Sequence, residues 1–252
     1  SFVPESDRPG AKLVKAKLTV GDWSTETTGQ IAVPYGGADL KPFTRYEASV
    51  EITDDAGETA KASLTFETGR LDTPWQGMWI SDPDYHFTEK KVSPVPMTFR
   101  KTFPADKAVA SARLYATAMG IYELNLNGKK VGNQYFAPGF TSYKTNLQYQ
   151  TYDITDFVAE NNTLTAVVGG GWAVGSFVFT RKNRISADRQ ALLLEIQITY
   201  ADGSTQFVGT DNSWLVTEEG PYRASDFYDG ETYDATVDEE KINWRNAAEE
   251  KL

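Results

Sequence analysis

The residues best equipped for chemistry lie in the stretch SDFYDGETYDAT, which sets Asp226, Asp229, Glu231 and Asp234 close together. Paired carboxylates act as general acid and base in glycoside hydrolysis when about 5–10 Å apart, and on an extended strand Asp229 and Glu231 share a face about 7 Å apart. Nothing nearby in the sequence is of a kind to lift one carboxyl into a proton-donating range. Two other uses suit the cluster. Clustered carboxylates fit a hard cation such as calcium, and they also fit polar contact with a neighbouring domain. Asp226, Asp229 and Glu231 are therefore candidates for interdomain contact or for calcium, with the metal unknown.

A second candidate is the loop GGGWAVG, Gly169 to Gly175. No Lys-Ser/Thr follows its glycines to meet a phosphate and begin a helix, so it is not a phosphate loop. Consecutive glycines instead permit positive φ and close backbone approach. Trp172 either stacks on the apolar face of a pyranose or plugs the end of a sandwich. The stretch from Asn133 to Tyr152 is dense in Asn, Gln, Tyr and Thr, the donors and acceptors that pair with sugar hydroxyls. Tyr143, Asn146 and Gln148 accordingly join Trp172 as candidate carbohydrate-binding residues. The competing expectation is a surface crossover held by its own aromatic rings. His86, the single histidine, lies in the polar loop DPDYHFTEKK without a second ligand at metal spacing and reads as solvated.

Composition narrows the partners. A formal charge of −10 and a pI near 4.7 disfavour nucleic acid and anionic membranes, whose binding needs a basic surface. No apolar run approaches the ~20 residues of a membrane-spanning helix, so membrane insertion is not expected. With no cysteine there is no disulfide, thiolate metal site or cysteine nucleophile. Six Trp, thirteen Tyr and thirteen Phe supply rings for cores, domain contacts and sugar faces.

The elements that must position these residues are strands. Tyr46, Ala48, Val50 and Ile52 alternate toward the turn Asp54-Asp55-Ala56-Gly57, and Ala60, Ala62, Leu64 and Phe66 return. With Lys12 to Val20, the stretch around Trp23 and Ile31 to Val33, about five strands are expected in a small, truncated sandwich over residues 1–70. Trp75 and Trp79 follow a turn-rich joint and suggest a clasp between domains. Further on, Asn127-Gly128 and Asp202-Gly203 each mark a hairpin. Gly120 marks a bulge or bend, and Lys101 reads as protection for an edge strand. About eight or nine strands over residues 75–237 suit a jelly-roll or galactose-binding-like sandwich. The segment 238–252, with the helix-prone NWRNAAEEK, reads as a tail leading to a further domain, and both ends of the chain read as those of a fragment.

The ordered runs GIYELNLNGKKVG, YFAPGFTSYKTNLQYQTYDIT, GGGWAVG and SDFYDGETYDA resemble the amino-terminal non-catalytic modules of bacterial α-L-rhamnosidases, over roughly Trp75 to Trp244. Residues 1–69 are more loosely similar to a fibronectin-type-III sandwich. The resemblance implies an all-β chain of two sandwiches preceding an inverting (α/α)6 catalytic barrel that this chain does not contain. No catalytic residue carries over. Some members bind L-rhamnose through calcium using an Asp-Asn pair; the nearest here, Asp211-Asn212, reads more simply as a turn. The implied role is to position or recognise rhamnose-containing glycans for the catalytic domain of the same polypeptide, in a periplasmic or extracellular setting with a cytoplasmic one as the alternative. The other expectation is a purely structural scaffold without a ligand.

Overall fold

A computed structural model describes residues 1–85, 92–177 and 179–252, and His86 lies outside the described residues. The chain divides into two compact units, Ser1–Pro74 and Trp75–Leu252.

The first unit is one antiparallel sheet of four strands, β1 (Leu13–Val20), β2 (Trp23–Thr27), β3 (Arg45–Asp54) and β4 (Thr59–Glu67), in the order β2-β1-β3-β4. The register places Tyr46 opposite Phe66, Ala48 opposite Leu64, Val50 opposite Ala62 and Ile52 opposite Ala60, as the alternation predicts. The apolar face is thinly covered. Among the described residues of this unit only Ala16 is a buried hydrophobic side chain, and Leu64 is 60% exposed. Ile31 to Val33, expected as a strand, is irregular, and Ile31 is exposed. Ala32 takes a left-handed φ of 49°, which interrupts the extended backbone, and Pro34 withholds a donor. Arg70 closes the unit from within: its guanidinium donates to the Pro74 carbonyl at 2.7 Å.

The second unit begins with β5 (Trp79–Ser81), β6 (Met97–Pro104), β7 (Val109–Met119), β8 (Ile121–Leu126), β9 (Lys129–Lys130), β10 (Gln150–Asp153) and β11 (Asn161–Gly169). A single helical turn, α1 (Gly171–Val174), precedes β12 (Ala191–Tyr200), β13 (Thr205–Gly209), β14 (Leu215–Thr217), β15 (Tyr222–Asp226), β16 (Gly230–Tyr233), β17 (Arg245–Asn246) and β18 (Ala248–Glu250). One six-stranded sheet runs β10-β7-β12-β5-β18 with β13 also on β12; the other runs β17-β14-β6-β11-β8-β9. Their inner faces share one core, in which Phe99, Leu114, Leu124, Leu164, Leu192 and Trp214 are buried. The chain is thus all-β, as expected from the periodicity.

Local chemistry explains the corners. Gly120 (φ 140°) carries the chain from β7 in one sheet to β8 in the other, and a side chain there would collide with the Gly169 carbonyl. Asn127 and Gly128 both have positive φ, the pattern of a two-residue hairpin turn, between β8 and β9. Asp211 also forms a turn, accepting from the Ser213 amide at 2.8 Å.

Two expectations are corrected. Lys101 does not guard an edge, because β14 and β11 flank β6 on both sides; its ammonium instead donates to the Ser213 hydroxyl. NWRNAAEEK is not helical. Arg245 makes a two-pronged contact with the fully buried Asp82, and the amide of the buried Ala247 donates to the Trp214 carbonyl at 2.8 Å. These long-range contacts outweigh the modest per-residue helix preference, and residues 245–250 add β17 to one sheet and β18 to the other.

Candidate functional site

The site is assembled at the point where β11 ends. Gly171 (φ 51°) would clash with Ile121 and Gly120 if it carried a Cβ, so glycine lets α1 nest against the corner between β7 and β8. On its inner side α1 buries Ala173 and Val174 against Tyr143, a small second core onto which Met119, Leu147, Trp172 and Ala187 pack. On its outer side the half-buried indole of Trp172 lies 4.5 Å from the Phe227 ring, 5.7 Å from Phe140 and 6.1 Å from Phe136, centroid to centroid. Phe136 meets Phe227 at 5.3 Å, and Phe140 meets Phe177 at 5.7 Å. Phe136, Phe140 and Phe227 are 54%, 61% and 37% exposed. Trp172 therefore roofs the small core and also centres an exposed aromatic surface.

Asp226 aims one part of this surface. Its carboxylate accepts from the Ser176 amide at 2.8 Å, the Tyr228 amide at 2.7 Å, the Asp229 amide at 3.3 Å and the Ser93 hydroxyl. Burial pushes this carboxyl up, but the Ser93, Tyr228 and Ser176 donors outweigh it and hold the pKa below its ordinary value. Phe227, the next residue, is thereby fixed beside Trp172. Asp229 is paired with Arg181, and Glu231 is exposed on β16 opposite Ser225.

These three carboxylates do not form a cation site. Asp226 faces four neutral N–H and O–H donors, and Asp229 faces a guanidinium, so both carboxylates already have partners. Among the described residues no three His, Cys, Asp or Glu side chains converge to hold a metal ion. Calcium does not fit the residues present, and no step depends on it. The same commitments leave no free acid and base pair at this cluster.

The four candidate carbohydrate contacts separate into two groups. Tyr143 is buried and its hydroxyl donates to the Gly139 carbonyl at 2.9 Å; burial pushes its pKa up to about 12. It supports the loop from beneath. Asn146 and Gln148 are exposed. The Gln148 carboxamide lies against Gly139, the neighbour of Phe140, while its backbone carbonyl accepts from Thr117 Oγ1 at 2.7 Å. Gln148 and Trp172 are thus brought to one end of the sandwich although far apart in the chain. Sequence reasoning did not single out Phe136, Phe140, Phe177 and Phe227. For Phe136, Phe140 and Phe177 the available signal was aromatic residues in YFAPGF and SFVF outside any alternating strand, where no core face could absorb them.

Trp75 meets Tyr149 edge-on at 5.8 Å within the second unit. The buried Glu195 accepts from the Gly77 amide at 2.8 Å and from the Gln76 amide, which fixes the start of that unit.

Residues 107–251 match the family described as the alpha-L-rhamnosidase N-terminal domain. Residues 7–72 match a Rha78A-like N-terminal immunoglobulin domain. An α-L-rhamnosidase of Formosa agariphila is 32% identical over 191 residues, 73% of this chain and 21% of that protein. One from an Alteromonas species is 36% identical over 181 residues, 68% of this chain and 19% of that protein. The crystal structure of the α-L-rhamnosidase of Aspergillus terreus superposes with a TM-score of 0.85 at 28% identity, over 96% of this chain and 30% of that one. The chain spans about a fifth of the length of these two curated relatives. Among the described residues no helix is long and apolar enough to cross a membrane.

Proposed function

We propose, from the premise that this chain belongs to the α-L-rhamnosidase N-terminal domain family, that it is a non-catalytic module which positions rhamnose-containing glycans for a catalytic domain elsewhere in the same polypeptide. The observation that carries this reading is the meeting of two loops, 133–149 and 169–175, in one exposed aromatic end around Trp172. The C–H face of a pyranose stacks on an aromatic ring, and its hydroxyls pair with carboxamide donors and acceptors. Trp172 and Phe140 supply the rings, and Gln148 and Asn146 the carboxamides. The role is positioning rather than cleavage, since Asp226 and Asp229 are committed to internal donors and to Arg181. A rhamnose-bearing polysaccharide as substrate goes with a periplasmic or extracellular setting.

Calorimetric titration with L-rhamnose and a rhamnose-bearing oligosaccharide tests the reading. Binding heat is expected from the wild type and not from Trp172→Ala or Gln148→Ala, with strand-type circular dichroism unchanged in both. Absence of heat at millimolar sugar sinks the glycan reading. Release of rhamnose from an aryl rhamnoside by this chain alone sinks the non-catalytic one.

A further inference from the structure

We infer that the outer face of the sheet β17-β14-β6-β11-β8-β9 carries a separate recognition site, built on Arg100, for the carboxylate of an acidic sugar. It shares no residue with the aromatic end around Trp172, so it stands whether or not that end binds rhamnose.

Alternation and register place the residues. Phe99 and Phe103 on β6, and Leu164 and Ala166 on β11, belong to the core, so Arg100 and Thr102, and Thr163 and Thr165, stand on the opposite face. Pairing sets Thr102 beside Thr163 and puts Arg100 between Thr165 and Leu215. A groove of about 330 Å³ results, lined by Arg100, Lys101, Thr102, Thr163, Ser213 and Leu215. That volume is at the small end of the range for ligand sites.

Arg100 gives the groove its chemistry. Acidic residues outnumber basic ones by 35 to 25 in this chain. Arg8, Arg113, Arg181, Arg189 and Arg245 each pair with a carboxylate. Among the described residues no carboxylate pairs with Arg100. Asp211 stands near the groove but faces Lys101, at 3.9 Å, and Lys101 also donates to the Ser213 hydroxyl. The half-buried guanidinium of Arg100 instead lies over the Trp244 ring, 4.0 Å from its centroid. Stacking occupies a face of the guanidinium and leaves its N–H groups, which lie in the plane, free to donate outward. The Trp244 indole N–H is buried without an acceptor among the described residues. An unsatisfied donor costs stability, so the ring serves here through its face, as the platform that holds Arg100.

The donor set identifies the ligand class. A planar fork of charged N–H groups makes two parallel bonds to a carboxylate, and the hydroxyls of Thr102, Thr163 and Ser213 pair with the hydroxyls of the ring that carries it. Leu215 meets the C–H edge of the same ring. A singly charged carboxylate suits this chain better than a doubly charged phosphate, because a net charge of −10 repels each added negative charge. Combined with glycan positioning, the site selects chains that contain a uronic acid, and that consequence alone rests on the rhamnose reading.

Nuclear magnetic resonance titration of the isotope-labelled chain with D-galacturonate tests the site, with D-galactose, which has CH2OH in place of the carboxylate, as the neutral counterpart. Galacturonate at millimolar concentration is expected to shift the amides of Arg100, Thr102 and Thr163 and the Trp244 indole N–H, the last assigned by its loss in Trp244→Phe. Galactose should bind at least about ten-fold more weakly, and Arg100→Gln should weaken galacturonate by at least about ten-fold, the worth of a hydrogen-bonded charge. Unchanged circular dichroism checks the fold of that variant. The double variant Thr102→Val, Thr163→Val, confined to exposed side chains, should weaken binding several-fold and reads the site even where Arg100→Gln does not fold. No shift, equal binding of the two sugars, or full affinity in Arg100→Gln overturns the inference. So does inorganic phosphate or sulfate bound as tightly as galacturonate, which makes the groove a general anion site. Galacturonate binding that disappears in Trp172→Ala also overturns it, by assigning the acid to the aromatic end. Galacturonate bound at Arg100 without any heat for L-rhamnose supports the site and fails only the rhamnose reading.

Discussion

Trp214 and Trp172 belong to the same sandwich and stand under opposite constraints. Trp214 is wholly buried between the two sheets, with its indole N–H donating to the Gly209 carbonyl at 2.8 Å, so every part of the ring is used by the fold. Trp172 uses one face to roof a small core and turns toward phenylalanines that remain largely exposed. The first region is solved by packing alone. The second keeps apolar surface in water, which folding by itself does not favour, and that is where a role beyond stability belongs.

The largest effect that separates the two regions is expected from Trp214→Ala, a loss of about 3–5 kcal/mol from the lost ring and the cavity it leaves. Denaturant unfolding checks this, and a loss below about 1 kcal/mol would place Trp214 outside the load of the core. Trp172→Ala comes next, at about 1–2 kcal/mol for a half-buried ring. Here the binding heat should vanish while the unfolding midpoint moves little. A midpoint shift as large as that of Trp214→Ala would make Trp172 a core residue and erase the contrast.

Acid titration sharpens the comparison inside the aromatic end. The Asp226 carboxyl is held below its ordinary value, so its ionised form contributes fully above the unfolded range near 4 and is lost as pH falls through the lower folded value. Trp172 fluorescence should therefore change below about pH 4, before the strand signal is lost. In Asp226→Asn that early step should be absent. If it persists in the variant, another carboxylate anchors Phe227. The smallest effect is expected in the first unit, where Leu64→Thr on the uncovered side of β4 should cost under about 0.5 kcal/mol. A greater cost would mean that the sheet carries a second layer.

The two units explain why periodicity alone stops short of burial. Tyr46 to Ile52 and Leu114 to Ala118 carry the same alternation, and both become strands. Leu114, Ala116 and Ala118 disappear from solvent because a second sheet lies over them, whereas Leu64 on the partner strand of Ala48 does not. Alternation names the face to be covered, and the number of layers decides whether it is covered. The hairpins at Asn127-Gly128 and Asp202-Gly203 were readable because their turn chemistry is local. Residues 245–250 were not, since the contacts that make them strands come from Asp82 and Trp214, distant in the chain.

At the site, the sequence marked Trp172 and Gln148 for carbohydrate and Asp226 for a separate task. The acidic cluster suited interdomain contact or calcium because four carboxylates are close in the chain. Folding turned Asp226 toward amides and hydroxyls and paired Asp229 with Arg181. Tyr143, chosen for its hydroxyl, points that hydroxyl at Gly139.

By itself the sequence determined the strands and turns and, through four ordered motifs, the family, because each depends on the residues of a short contiguous segment. Only the tertiary structure decided that Phe136, Phe140, Trp172 and Phe227 form one surface and that residues 245–250 complete both sheets. Those facts depend on which strands pair and which sheet each joins, and pairing is set by the packing of the whole core rather than by any one segment.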